Sequence, residues 1–257
     1  MSQRKNKVMI GDFETTVYDK QEKTEVWASG VCELYTEDAH LFHSIDETFQ
    51  YLKSLKSNIT IYYHNLKFDG NFWISYLLKD LKYDTALNVY DKNGVLILNP
   101  TNEDIINPEN EAKWIDEREM LNGTFRYAIS DRGQWYSITV KTGGHKIDIR
   151  DSLKLLPFSV NKIGRDFKTK HKKLEMEYEG YRYAGCEITD EEKEYIFNDL
   201  FVVKEALEIL FSEGHNKLTI GACCLSEFKN TFEPDSEMMD TDEFDRCGNE
   251  VDMSFFR

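Results

Sequence analysis

Asp12 and Glu14 stand one residue apart, directly after Gly11 and the short apolar run Val8-Met9-Ile10. That run reads as a buried strand, and side chains two apart on a strand point to one face. Two carboxylates held side by side repel each other and lose hydration unless a cation lies between them. Hard oxygen donors suit Mg²⁺ or Mn²⁺ better than zinc. Phe13 would turn the other way, into the core. Asp-x-Glu on its own is equally the polar end of an ordinary strand, so the metal reading needs further ligands from elsewhere in the chain.

Two later places offer them. Asp69 follows the run Ile59–Tyr63 at the mouth of a helix, with Asn65 four residues before it. A helix N-cap is the plain alternative for such an Asp. Tyr195 and Asp199 are four apart, so on a helix they share one face. An amphipathic helix with two ordinary polar positions would look the same. Together, though, Asp12, Glu14, Asp69 and Asp199 supply four carboxylates in chain order, and two divalent ions ~3.5–4 Å apart need roughly that many. Such a pair can bind a scissile phosphate, ionise a water and stabilise the departing 3′ oxygen. Tyr195 would orient the water, because a phenol with a pKa near ~10 is a poor base at neutral pH.

The elements that must carry these groups are readable. Glu25–Leu34 and Ala39–His43 read as strands. Ser44 with Glu47 forms a capping-box pattern ahead of a helical face of Phe49, Leu52 and Leu55. Ile59–Tyr63 is β-branched and aromatic, as a buried strand requires. Phe125–Ile129 and Trp135–Val140 read as a hairpin, and Lys146–Ile149 as a strand ending at Asp151. Thr189 with Glu192 opens the longest helix, which buries Ile196, Leu200, Val203 and Leu207. Leu218–Lys229 adds a short helix. This order predicts an α/β fold, a mixed central sheet flanked by helices. The polar segment 84–122, with Pro100 and Pro108, reads as an insertion or long loop.

Composition limits the alternatives. The chain has 257 residues, 40% of them hydrophobic, and a net charge of −15; its length and apolar content suit one large folded core, or one core with a substantial appendage. No apolar run approaches the ~20 residues of a membrane span. Five scattered cysteines without zinc spacing fit a reduced compartment. The negative charge is concentrated. Residues 233–252 hold nine acids against Arg246, and 102–120 hold seven against Lys113 and Arg118. Between Lys162 and Lys173 six basic residues face only Asp166, a candidate phosphate track or simply a solvated surface.

The motifs Asp12-Phe13-Glu14-Thr15-Thr16, His64-Asn65-Leu66-Lys67-Phe68-Asp69-Gly70 and Tyr195-x3-Asp199 resemble the three exonuclease motifs of family B DNA polymerases. The protein-primed branch of small tailed phages is the most similar. The likeness continues through Arg132-Gly133-Gln134-Trp135-Tyr136, Asp151-Ser152-Leu153-Lys154-Leu155-Leu156-Pro157-Phe158 and Asp166-Phe167-Lys168. It implies a 3′→5′ proofreading exonuclease domain over residues 1–230, with an RNase H-like (DnaQ-like) fold and two Mg²⁺ or Mn²⁺ ions. Asp12, Glu14, Asp69 and Asp199 would ligate the ions and Tyr195 would orient water. Lys173 would assist near the phosphate, with Lys172 adjacent as a substitute. Thr15, Tyr62, His64, Asn65, Phe68, Phe72, Ser152, Leu153 and Tyr178 match positions that hold a frayed single-stranded DNA 3′ end. For Phe68 and Phe72 plain helix core is the competing role.

The same resemblance implies a priming (terminal) protein and a polymerase domain in cis as partners, no membrane, and the cytoplasm of a phage-infected bacterium. The palm motif Ser-Leu-Tyr-Pro and the Tyr-x-Gly-Gly linker are absent from the sequence. Asp240-Thr241-Asp242 repeats the letters of the palm's catalytic triplet only by coincidence, inside an acidic tail or linker at 231–257. The chain is therefore either a separated N-terminal domain or a stand-alone nuclease. An RNA exonuclease on the same fold and a non-catalytic docking module for single strands or the priming protein are the competing functions.

Overall fold

A computed structural model of the chain describes residues 6–15, 20–178 and 180–232. The acidic stretch after 232, with Asp240-Thr241-Asp242, and Thr16 of the first motif lie outside the described residues. The chain runs β1 (Lys7–Thr15), β2 (Val26–Glu33), β3 (Ala39–Phe42), α1 (Ile45–Ser54), β4 (Ile59–Tyr63), α2 (Leu66–Lys79), β5 (Asp84–Thr85), β6 (Leu87–Tyr90), β7 (Leu96–Ile97), α3 (Asn102–Ile106) and β8 (Glu111–Trp114). It continues through β9 (Thr124–Ile129), β10 (Trp135–Thr142), β11 (His145–Asp151), a short 3₁₀ turn at Ser152–Lys154, α4 (Val160–Asp166), α5 (Asp190–Ser212) and α6 (Ile220–Phe232).

Eight strands form one mixed sheet in the order β3-β2-β1-β4-β11-β10-β9-β5. β4 is parallel to both β1 and β11, while β2 is antiparallel to β1. This is the mixed α/β sheet the sequence leads one to expect, and its strand order is consistent with an RNase H-like fold. Each face of the sheet buries its own core. Met9, Phe13, Phe49, Tyr63 and Trp73 pack together on the side covered by α1 and α2. Ile10, Trp27, Tyr62, Ile196, Leu200 and Val203 pack on the side covered by α4 and α5. Period-two alternation along β1 explains the split: Met9, Gly11 and Phe13 face one core, and Ile10, Asp12 and Glu14 the other.

Helix starts follow the local chemistry. Ser44 caps α1 by accepting the Glu47 N–H, and Thr189 with Glu192 closes a full capping box on α5. α2 departs from expectation. Its N-cap is Asn65, in the left-handed conformation (φ 74°) and without a side-chain cap. Asp69 is therefore not a cap but lies within the first turn, turned inward. The orphan N–H of Leu66 is met instead by the Asp151 carboxylate across the sheet (3.2 Å).

Segment 84–122 is not one long loop. β6, β7 and β8 form a separate three-stranded sheet, and a capping box of Thr101 with Asp104 starts α3. Among the described residues no helix is long and apolar enough to cross a membrane.

Candidate active site

The carboxyl ends of the parallel strands β1 and β4 meet the start of α2 and the middle of α5. Ligand sites of open α/β sheets favour such strand ends. β1 extends through both acidic residues instead of stopping before them. Gly11 is required there by close approach. A Cβ at that position would lie 2.5 Å from Cζ and 2.7 Å from the hydroxyl of Tyr63. α5 contributes Tyr195 and Asp199 one turn apart, and its Leu200 and Ile196 press against Gly30 of β2, where a Cβ would meet them at 2.4 and 2.8 Å. Helix and strand are thus drawn close enough for Asp12 and Asp199 to line one small cavity of about 80 Å³ with His64 and Val160.

The four carboxylates act on one another. Burial raises the Asp12 carboxyl to about 7, with the Asp199 charge adding to it. Glu14 is raised to about 8, again by burial first and then by Asp12. Burial and the Asp12 charge push Asp69, itself 2% exposed, well above the usual carboxylate range. Asp199 is raised by burial despite its ion pair with Lys173. Mutual repulsion in a dry site is the signature of a place built for positive charge.

Lys173 supplies part of that charge. Its ammonium pairs with Asp199 Oδ2 and donates to the Tyr195 hydroxyl at 3.1 Å. Lys172 does not substitute for it. That side chain turns away to the carbonyls of Gly164 (2.8 Å) and Thr169, closing the C-terminal end of α4. Burial raises the Tyr195 pKa, so the group is a neutral phenol that can donate a hydrogen bond. Tyr178 stacks edge-on against Tyr195 (5.9 Å between centroids) and against Trp27 (5.0 Å). Its buried hydroxyl lies beside Glu14, and burial first, then the Glu14 charge and hydrogen bonding, hold its proton on.

A divalent cation fits this donor set. Asp69 Oδ1 and Asp199 Oδ1 are both buried without a hydrogen-bond partner, and all the converging donors are oxygens, as Mg²⁺ or Mn²⁺ prefers. Among the described residues no three His, Cys, Asp or Glu side chains already stand close enough to grip a single ion.

The remaining positions divide. His64, kept neutral by burial, binds the Phe158 carbonyl through Nε2 (2.8 Å) and the Ser152 hydroxyl through Nδ1 (2.9 Å). The Ser152 hydroxyl also lies 3.1 Å from the Tyr63 carbonyl, so its one proton is shared between that oxygen and His64 Nδ1. These bonds join the end of β4 to the turn after β11, where Leu153 is half-buried. Phe68 is 48% exposed and sits edge-on to Phe72 (5.5 Å), so it is not core. Thr15 and Phe72 are half-buried and Asn65 is exposed. Tyr62 does not join this group: it is 2% exposed, and its ring packs on Phe211 at 5.8 Å.

Residues 51–220 match the family of type B DNA polymerases of organelles and viruses. The sequence is 35% identical over 236 residues to the DNA polymerase of Bacillus phage phi29, covering 90% of this chain and 35% of that one. It is 34% identical over 230 residues to that of Bacillus phage Nf, covering 87% and 34%. The chain belongs to the type B DNA polymerases of viruses and organelles. It spans about a third of the length of these relatives. The phi29 DNA polymerase complexed with single-stranded DNA superposes with a TM-score of 0.68 at 32% identity, over 88% of this chain and 35% of that chain. In this family member three supports leave no sign in the sequence: the Tyr63 hydroxyl under Gly11, the Asp151 carboxylate on the start of α2, and the contacts that hold the Lys173 loop. The first is hidden because Tyr62 and Tyr63 are adjacent aromatics, and only strand register tells which one faces which core.

Proposed function

We propose that this chain is a divalent-cation-dependent 3′→5′ exonuclease that removes nucleoside monophosphates from single-stranded or frayed DNA ends, as the proofreading part of a protein-primed polymerase. The observation that carries the proposal is that Asp12, Glu14, Asp69 and Asp199, from β1, α2 and α5, are all raised by burial, with Asp199 acting on Asp12 and Asp12 on Glu14 and Asp69. Two Mg²⁺ or Mn²⁺ ions held by these four acids would supply charge to the scissile phosphate and acidify the attacking water.

The chain's own residues do the remaining work. Tyr195, a neutral phenol steadied by Lys173, orients the water by hydrogen bonding. The Lys173 ammonium, with its pKa raised by Asp199, stays protonated and offsets phosphate charge. Phe68 offers an exposed ring for an unpaired base. His64 and Ser152 hold the turn against which the terminal sugar would lie. A relative solved with single-stranded DNA supports a DNA strand as the ligand. Because the chain spans a third of its relatives, we assign it a polymerase portion as working partner, with the priming protein as a further partner of that assembly.

The test uses 5′-labelled single-stranded DNA and RNA, each with Mg²⁺ or with chelator. Stepwise 3′ shortening of DNA that needs the metal is expected, with RNA cut more slowly and duplex ends more slowly than frayed ones. Asp12→Ala combined with Asp69→Ala is expected to lower the rate by about 10³-fold or more while strand binding persists. Metal-dependent cutting that survives in this variant would remove both residues from the mechanism. Equal cutting of RNA would move the assignment to an RNA exonuclease.

A further inference from the structure

Lys173 lies in a stretch from Phe167 to Thr189 that has no helix or strand among its described residues. A flexible lysine on an unstructured strap has no intrinsic reason to meet Tyr195 and Asp199, because ordering such a segment costs backbone conformational entropy at every residue. Something must hold the strap. The chain enters it through Lys168, in the left-handed region (φ 53°). Thr169 is buried and donates its hydroxyl to the carbonyls of Gly164 (3.3 Å) and His171 (2.7 Å).

The next two residues are then fastened by one side chain. Glu205 Oε2 accepts the Lys170 N–H at 2.5 Å and the His171 N–H at 3.4 Å, while its Oε1 meets His171 Nδ1 at 2.5 Å. The His171 ring also stacks on Phe201, with centroids 4.7 Å apart and planes tilted by 38°. Phe201 and Glu205 are one turn apart on α5, the helix that carries Tyr195 and Asp199. The strap is therefore tied to the same rigid rod as the groups Lys173 must reach, only two residues before Lys173 itself. Nothing in the four-carboxylate chemistry uses Glu205.

We propose that Glu205 is a positioning residue, which through His171 and the Lys170 and His171 amides sets the strap so that the Lys173 ammonium stays on Tyr195 and Asp199. The assignment rests on the nuclease reading above. It works by geometry: misplacing a group by about 1 Å at a reacting centre costs on the order of 10²-fold in rate.

The experiment is a double-mutant cycle on the full chain, using single-turnover cleavage of labelled single-stranded DNA with Mg²⁺. E205A is expected to lower the cleavage rate about 10–30-fold and to leave the half-saturating DNA concentration within ~3-fold. E205Q, which keeps acceptor oxygen for the amides, is expected to stay within ~3-fold of the parent. The deciding result is non-additivity: K173A with E205A should be no slower than K173A alone, because Glu205 acts only through Lys173. In chelator, amide exchange at Lys170 and His171 should speed up at least ~10-fold in E205A. If E205A does not fold, H171F, which keeps a ring on Phe201, carries the same cycle.

A parent-like rate in E205A, or an equal loss with and without Lys173, overturns the assignment while leaving the nuclease reading intact. A parent chain that cuts no strand with any divalent metal sinks that reading, and this assignment with it, even where the exchange result holds.

Discussion

The two sheets of this molecule are built to opposite ends. The eight-stranded sheet places its carboxyl edge under maximal constraint. Gly11 leaves no room for a methyl group, α5 presses into Gly30, and four acids share a dry place. The three-stranded sheet of β6, β7 and β8 is loose by comparison, with Val95 (61%), Leu98 (79%) and Ile106 (77%) exposed around it. Constraint gathers where groups must be held against their own repulsion, and it is absent where nothing charged has to converge. The active edge therefore carries a stability cost that packing elsewhere offsets, whereas the small sheet carries almost none.

Gly11→Ala is the sharpest way to break that contrast. The new methyl group would lie 2.5–2.9 Å from ring and hydroxyl atoms of Tyr63, a fully buried side chain that itself packs on Phe13 at 5.0 Å. Overpacking of this kind costs about 2–3 kcal/mol, or a melting temperature lower by ~5–10 °C for a chain of this size. Adding Tyr63→Leu should recover part of the loss, so the two substitutions would couple favourably in thermal melts. Strict additivity would show that the close approach at Gly11 is not what constrains the strand.

Next in size is a change in the opposite direction. Asp12 and Glu14 have folded-state pKa values of about 7 and about 8, well above those of an unfolded chain, near ~4. Between those limits the folded protein binds more protons than the unfolded one, so in chelator its stability falls as pH rises from about 4 to about 8. Asp12→Asn removes one of these buried charges. It is expected to raise the melting temperature in chelator at pH 8.5 by ~3–6 °C, or about 1–2 kcal/mol, with a smaller gain at pH 5. Adding Mg²⁺ should stabilise the parent protein more than the variant. A melting temperature flat across this pH range would mean that the acids are better solvated than their burial implies.

How much of this was readable from the sequence follows the same divide. β1, β4 and α5 stand out because their apolar patterns are strong and Thr189 with Glu192 caps the helix, and with them came Asp12, Glu14, Tyr195 and Asp199. Asp69 was found for its carboxylate, but the nearest local rule makes it an N-cap. The true start of α2 depends on the left-handed Asn65 and on Asp151, which comes from a strand more than eighty residues away. Glu205 was invisible for a related reason, since on a helical wheel it is one more acid on an exposed flank. The small sheet escaped because β7 is two residues long and β6 and β8 four each, too short for alternation to register.

That small sheet is also where the smallest effect is expected. Leu98 and Ile106 are exposed apolar residues outside both buried cores. Leu98→Ser with Ile106→Ser removes apolar surface that is already in contact with water, so folding gains or loses within about 0.5 kcal/mol. The melting temperature should move by no more than ~2 °C, and the rate of strand cleavage should stay at the parent value. Chemical denaturation with tryptophan fluorescence reads the first result most directly, because Trp114 in β8 packs edge-on against Tyr127 of β9 at 4.9 Å and so reports on the joint between the sheets. A loss above about 1 kcal/mol would mean that the apolar rim shields that joint, and the two sheets would then have to be counted as one cooperative unit.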